Sequence, residues 1–126
     1  MDRKFLLTAF GYAILGLALG IHMAASKNHG QMVTHAHIML VGFVVSFVYA
    51  VCHKLWLPSA PSKLASAQYY VHQLGSFLLL VGLFLAYGNF VQPQFVEPVL
   101  SVGSLTVFVG LIMMKIYLLK SYKKPA

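Results

Sequence analysis

Four long apolar stretches constrain the fold of this chain more than any other feature of its sequence. They run from about residue 5 to 25, 34 to 57, 65 to 90 and 98 to 120, and each is long enough to cross a bilayer, which takes about 20 mostly apolar residues. The connections are short, and short connections place neighbouring helices antiparallel. The sequence therefore predicts an all-α integral membrane protein, an up-down four-helix bundle that occupies residues 1–126 as a single domain.

The composition agrees with a membrane protein and argues against a soluble one. Of the 126 residues, 60% are hydrophobic and 9% are charged, whereas about 25% of the residues in a soluble domain are charged. The net charge of +7 comes from residues at the ends of the apolar stretches and not from one soluble face. The expected partner is therefore the lipid bilayer, and no nucleic-acid partner is expected.

The basic residues also predict the orientation of the chain in the membrane. One basic residue, Lys27, falls on one side, and the others fall on the opposite side with both termini: Arg3, Lys4, Lys54, Lys63, Lys115, Lys120, Lys123 and Lys124. By the positive-inside rule both termini are cytoplasmic, and we expect a multi-pass protein of the plasma (inner) membrane of a prokaryote. The first stretch follows Met-Asp-Arg-Lys as in a signal peptide, but its length and the three later spans favour a retained helix.

Helix boundaries are predicted by proline, glycine and serine. Pro58 and Pro61 are expected to end the second helix, and Ser62 is expected to cap the third. Gly88-Asn89 should end the third helix, and Pro98 suits the first turn of the fourth.

Histidine and methionine concentrate between the first and second apolar stretches. Four of the six histidines and three of the six methionines lie between residues 22 and 39: His22, Met23, His29, Met32, His35, His37 and Met39. Imidazole and thioether groups bind heme iron or copper. The topology places all seven toward the outer side, so the sequence predicts a cofactor site there.

The other two histidines, His53 and His72, are expected nearer the cytoplasmic side. Because the membrane core is about 30 Å thick, His37 and His72 of one chain should not ligate the same cofactor. A second, inner site formed by His53 and His72 is an open alternative, as is a purely structural role for either residue.

Helical spacing assigns a face to each histidine. His35 shares a face with His53 and with Met39, Gly42, Ser46 and Tyr49, which should point into the bundle. His37 lies about 200° away from His35, on a face of valines that should meet lipid or a second subunit. Stripes on the other helices are also predicted to face the interior: Thr8, Gly11, Leu15, Ala18 and His22; Gln68, His72 and Ser76; Glu97, Ser101, Ser104, Phe108, Leu111 and Lys115.

Three readings of the histidines follow. The first is heme b held between helices, with His22, His35, His37 and His72 as candidate cofactor-binding residues and His37, His35, His22 and His29 as candidate iron ligands. The second is copper binding or copper transport, in which Met23, Met32 and Met39 join the outer histidines. The third is a structural or assembly subunit without a cofactor. Zinc is disfavoured because no thiolate or carboxylate lies at this depth.

One segment of the second stretch resembles a known family. The sequence His35-Ala-His37-Ile-Met-Leu-Val-Gly42-Phe43 is similar to the small four-helix membrane proteins related to subunit I of heme–copper oxidases, which are often labelled cytochrome-c-oxidase-like. The family pattern has an Ala-Ser…His stretch, then His-x-His-x-x-x-x-Gly-aromatic, and a later histidine in the third helix. The corresponding positions here are Ala25-Ser26, His29, His35, His37, Gly42-Phe43 and His72.

The resemblance implies a b-type heme in an electron-transfer protein or a small redox or gas-responsive unit. In the large oxidases a histidine that begins the analogous second helix ligates the low-spin heme, a role that falls here on His37 or His35. The fourth helix contains no histidine, so the opposite ligand must be His22, His29 or a residue of a second protomer, and a homo-oligomer is expected. The copper-ligating triad is not evident, a full oxygen reductase is not expected, and whether the chain is an enzyme stays open.

Overall fold

The computed structural model describes residues 1–60 and 62–122, and within these residues it contains four long helices and no strand. The helices are α1 (Asp2–Ser26), α2 (Met32–Leu55), α3 (Lys63–Tyr87) and α4 (Pro93–Tyr122). Each is long and apolar enough to cross a membrane, which confirms the all-α four-helix prediction and a multi-pass membrane protein. Pro61, Lys123 and Lys124, used in the predictions above, lie outside the described residues.

The bundle consists of two antiparallel helix pairs. α1 packs mainly on α2, α3 packs mainly on α4, and α2 joins the pairs by contacting α3. The α1–α2 and α3–α4 connections therefore lie at one end of the bundle, here called the hairpin end. The two chain termini and the α2–α3 connection lie at the other end, here called the terminal end.

Helix boundaries follow the sequence signals with one difference. The Ser62 hydroxyl caps α3 by accepting the Ala65 N–H at 3.4 Å, and α3 ends at Tyr87, just before Gly88-Asn89. α4 begins at Pro93, five residues before the predicted start, so Pro98 lies inside the helix. Proline suits the first helical position because it has no N–H to satisfy, and an internal proline is tolerated where neighbouring helices support the span.

The middle of α2 is not α-helical. Its backbone winds as a π-helix from Ile38 to Val45, a geometry that is rare and is found frequently at functional sites. Gly42 lies in this segment, and a Cβ there would come 2.6 Å from Cγ of the Tyr12 ring. Glycine thus lets the Tyr12 side chain of α1 rest directly on the π-helical backbone.

The interior faces of α2 and α3 match the prediction, whereas those of α1 and α4 do not. Ser46, Tyr49 and His53 of α2 are buried, as are Gln68, His72 and Ser76 of α3. The stripes predicted for the other two helices point outward, since Leu15, Phe108 and Leu111 are each more than half exposed. The buried residues of these helices are instead Phe5, Ala9, Ala13, Gly16 and Met23 in α1, and Val96, Gly103, Gly110, Met114 and Tyr117 in α4.

The reason for this difference is that small residues, and not polar ones, bring α3 and α4 together. A Cβ at Gly75 would lie 2.7 Å from the Val107 nitrogen, and one at Gly103 would lie 2.6 Å from the Leu79 nitrogen. Helices in lipid gain stability from close van der Waals packing, because burial from lipid provides no hydrophobic driving force. The two backbones touch at these glycines, so the glycine face of α4 is the buried one.

Substitution of Gly103 by alanine is expected to lower the free energy of unfolding by about 1–3 kcal/mol, the usual cost of overpacking a tight contact. The matched control is Gly11→Ala, because a Cβ at Gly11 meets nothing within 4 Å. That variant should be neutral or slightly more stable, since alanine favours a helix more than glycine does. Unfolding by sodium dodecyl sulfate in mixed micelles, followed by circular dichroism, measures both. Equal losses in the two variants would contradict the close α3–α4 contact.

Candidate functional site

The outer histidines lie at the hairpin end, as predicted, but they do not converge. His22 near the end of α1 and His29 in the connection are exposed, whereas His35 and His37 in the first turns of α2 are half-buried. α2 begins at Met32, so His35 and His37 are both helical and point to different sides. Within residues 1–60 and 62–122, no three His, Cys, Asp or Glu side chains form a group that would hold a metal ion.

The His35 imidazole is fixed against α1. Its Nδ1 lies 2.7 Å from the Gly16 carbonyl oxygen, and a Cβ at Gly20 would come 3.0 Å from its Cε1. The two glycines leave room for the ring between α1 and α2. Because a carbonyl oxygen only accepts hydrogen bonds, Nδ1 carries the proton and Nε2 of the neutral ring keeps its lone pair.

The His37 imidazole has the same tautomer through a bond within its own helix. Its Nδ1 donates to the Val33 carbonyl at 2.9 Å, one turn earlier. A histidine that ligates a metal usually donates its other ring N–H to a carbonyl or carboxylate, which fixes the ring and raises the basicity of the ligating nitrogen. Both His35 and His37 make such a bond to a backbone carbonyl. On the predicted outward face of α2, Val44 is 42% exposed and Val48 is 49% exposed.

Glutamine 31 holds the start of α2 in place. Its Nε2 donates to the Phe84 carbonyl of α3 at 2.9 Å, and its Oε1 accepts the Thr34 hydroxyl at 2.6 Å. Thr34 is fully buried and lies inside α2, which begins at Met32. This bridge fixes the histidine-bearing turn relative to the second helix pair.

The three methionines of the copper alternative are dispersed. Met39 packs its side chain on Gly16, and Met23 is 3% exposed. Met32 is 50% exposed at the start of α2. Met39 occupies the space that a glycine leaves open, so packing accounts for its position.

An apolar cleft runs along the membrane-facing side of α1, α2 and α3. Its volume is about 490 Å³, and it is lined by Tyr12, Leu15, Ala18, Leu19, Thr34, Ile38, Phe77, Leu80, Val81 and Phe84. A second cavity of about 440 Å³ at the hairpin end shares Leu19 and Phe84 with the cleft and is also lined by His22 and Met23. His22 therefore lines the cavity that adjoins the cleft at the hairpin end.

The inner histidines lie in the terminal half of the bundle, and His72 is fully buried. Its Nε2 lies 3.0 Å from the Ser46 hydroxyl and 3.3 Å from the Ser76 hydroxyl. His53 is 7% exposed and its ring stacks on Phe5, with 5.6 Å between centroids. The predicted stripes contained Ser46 and Ser76. Ser76 lies one turn from His72 on the same helix, whereas the contact of Ser46 with His72 was not predictable, because it requires the packing of α2 on α3.

Comparison with protein-family models, with curated proteins and with solved structures finds no match. The fold and the site define a multi-pass membrane protein of four helices with two oriented imidazoles at its hairpin end. The resemblance to heme–copper oxidase subunit I remains a prediction from the residues quoted above.

Proposed function

We propose that this chain is a heme b-binding integral membrane protein that acts in electron transfer. The observation that carries the proposal is that Nδ1 of His35 and Nδ1 of His37 each lie within hydrogen-bond distance of a backbone carbonyl oxygen. Each donates Nδ1–H to a backbone carbonyl, so each presents an Nε2 lone pair of the kind that ligates heme iron. Bound heme b would supply a one-electron iron couple that no side chain of this chain supplies.

His37 is the better candidate for an iron ligand. The His35 ring packs against the glycines of α1, whereas His37 is half-buried on the helix face for which Val44 and Val48, 42% and 49% exposed, indicate an outward direction. His35 points to another side of α2. In the described residues, no other outer histidine joins His37 in a group that could hold a metal ion. His37 of a second copy would then supply the other imidazole that holds the heme, and the heme-binding form would be a homodimer.

If His37 of two copies held the heme, the bound group would supply electron transfer and not gas binding. A gas-responsive unit needs a free position on the iron. The residues of this chain would orient the group and exclude water, and Val33 would set the basicity of the His37 nitrogen through its carbonyl.

The placement of charge supports an outer location for this site. The described basic residues at the terminal end are Arg3, Lys4, Lys54, Lys63, Lys115 and Lys120, and Lys27 lies at the hairpin end. We infer from the positive-inside rule that the terminal end faces the cytoplasm of a prokaryote. His37 then lies near the outer surface of the plasma membrane.

The test is an absorption spectrum of the detergent-purified protein, oxidised by air and then reduced by dithionite, with a pyridine hemochrome assay of heme content. We expect a strong Soret band, sharp α and β bands on reduction, half a heme per chain, and no change on addition of carbon monoxide. A content of one heme per chain that is lost in His22→Ala and kept in His37→Ala would overturn the assignment of His37 and would indicate that heme binds in the apolar cleft. A colourless protein from heme-replete cells would refute the proposal, and copper found by metal analysis would support the alternative.

A further inference from the structure

The terminal half of the bundle contains buried polar atoms that the proposed heme site does not use. The Tyr49 hydroxyl, His53 Nε2, Gln68 Oε1 and His72 Nδ1 are each buried and have no hydrogen-bond partner among the described residues. Their side chains are at most 7% exposed. They lie close to one another, since the Tyr49 and His72 rings are 5.0 Å apart and Phe5 contacts Tyr49, His53 and His72.

Five buried polar atoms in the described residues have no hydrogen-bond partner, since Gln73 Nε2 joins the four named above, and such a set needs an explanation. A buried polar atom without a partner is costly, and nearly all such atoms in native proteins are paired with protein or ordered water. Buried waters typically make about three hydrogen bonds to polar groups of this kind. Ionisable residues within membrane spans often belong to proton relays.

The geometry around His72 shows which of its nitrogens is open. Both serine hydroxyls lie on Nε2, so Nδ1 is the nitrogen left without a partner. Gln68 precedes His72 by one helical turn, which places Gln68 Oε1 on the same face of α3. The Gln68 amide nitrogen already donates to the Gly110 carbonyl at 3.0 Å, and this bond anchors the side chain.

A polar cavity at the terminal end reaches His53, and the fully buried Phe5 ring lies between His53 and His72. His53 lines a polar cavity of about 540 Å³ there, together with Lys4, Lys54, Ser62 and Ser66. The His53 ring stacks on Phe5, and Phe5 contacts the His72 ring at 6.1 Å between centroids. On the hairpin side of Ser76 the buried face of α3 is apolar, with Leu79, Leu80 and Leu83.

We propose that Tyr49, His53, Gln68 and His72 surround a hydrated proton-binding site that opens at the terminal end and stops at His72. In the Nε2–H tautomer, His72 donates to a serine oxygen and keeps a lone pair on Nδ1. A proton delivered by water adds to Nδ1 and gives an imidazolium whose Nε2–H remains on the serine. The same proton leaves by the same route, so the site binds and releases one proton without carrying it across the membrane.

The groups around this proton site are few. α2 contributes Tyr49, His53 and the buried Cys52, α3 contributes Tyr69, and α4 contributes Tyr117, which packs on His53 at 6.0 Å between centroids. α1 contributes the uncharged Phe5 and, with the N-terminal ammonium group of Met1, also places the charged Asp2 and Lys4 in the lining of the cavity that His53 reaches. No carboxylate belongs to the buried part of this cluster in the described chain, so a proton on His72 would be stabilised by water, by hydroxyl groups and by the Val41 backbone carbonyl.

Solid-state NMR of the full-length protein in lipid bilayers, labelled with ¹⁵N-histidine and ¹³C-leucine, tests the site. The His72 signals are identified by their loss in His72→Gln or, if that variant does not fold, by their shift in Ser76→Ala. We expect magnetisation from water to reach the His72 ring at a rate close to that of exposed His29 and well above that of the Leu79 methyl groups. Acidification of the buffer should replace the neutral His72 signals by those of the imidazolium.

Two results would overturn the proposal. One is a His72 ring that receives water magnetisation as slowly as the Leu79 methyl groups. The other is a ring that stays neutral at every pH at which the protein remains folded. Neither result depends on heme content, so this test is independent of the function proposed above.

Discussion

Substitution of Phe5 by alanine is expected to be among the most destabilising single changes in this protein, lowering the free energy of unfolding by about 3 kcal/mol. Phe5 is fully buried in the first turn of α1. Its ring contacts Tyr49 and His53 of α2 and Tyr69 of α3, with centroid distances of 5.3, 5.6 and 4.8 Å. The ring therefore links the two helix pairs at the terminal end.

The expected loss of unfolding free energy in Phe5→Ala comes from lost packing contacts. Lipid is as apolar as the protein core, so a phenyl group gains little from transfer between the two, and removal of one that faces lipid should cost little. Phe108→Ala is the matched control, since Phe108 is 58% exposed on the membrane-facing side of α4. That variant should change the free energy of unfolding by less than about 0.5 kcal/mol. Unfolding by sodium dodecyl sulfate in mixed micelles measures both, and equal losses would show that the aromatic contacts of Phe5 contribute nothing.

The number and approximate limits of the helices were predictable because hydropathy alone determines which stretches cross a bilayer. The start of α4 was not, since Pro93 and Pro98 both satisfy the rule for a first helical turn and local sequence does not choose between them. The interior faces of α2 and α3 were predictable because their polar residues are too numerous and too deep to lie in lipid.

The faces of α1 and α4 were mispredicted for a physical reason. A hydroxyl on a membrane helix can bond its own backbone, as Thr106 does by donating to the Val102 carbonyl at 2.6 Å, and it then needs no interior partner. Polarity is therefore a weak guide to orientation there. Close approach through Gly103 and Gly110 determines the face of α4, and this depends on α3, whose complementary Gly75 lies far away in sequence.

The candidate site was only partly predictable. The concentration of histidines at the hairpin end was evident from spacing, but the bond between His35 and the Gly16 carbonyl depends on the packing of α1 on α2. The π-helix from Ile38 to Val45 changes the winding just after His37, and an apolar run with one glycine gives no local signal for it. The contact of His72 with Ser46 likewise joins residues of different helices.

Substitution of His37 by alanine is expected to remove heme from the purified protein, with loss of the Soret band and of the reduced α and β bands. The reason is that His37 presents an Nε2 lone pair on the outward face of α2 while its Nδ1–H remains on the Val33 carbonyl. If His37 of two copies held one heme, a single substitution would remove both ligating imidazoles, so the loss should be nearly complete and not partial. Absorption spectra and pyridine hemochrome content, normalised to protein, provide the measurement.

The control for this substitution is His29→Ala, because His29 is exposed in the connection between α1 and α2 and its loss should leave the heme content unchanged. His35→Ala distinguishes a ligand of the heme iron from a residue that stabilises the packing of α1 on α2, since the His35 ring packs between these two helices. It should lower stability and weaken heme retention without altering the band positions of the heme that remains. A His37→Ala protein that retains the wild-type spectrum would refute the assignment of His37 as an iron ligand. If that variant still contained half a heme per chain, residues other than His37 would have to hold the heme in the dimer.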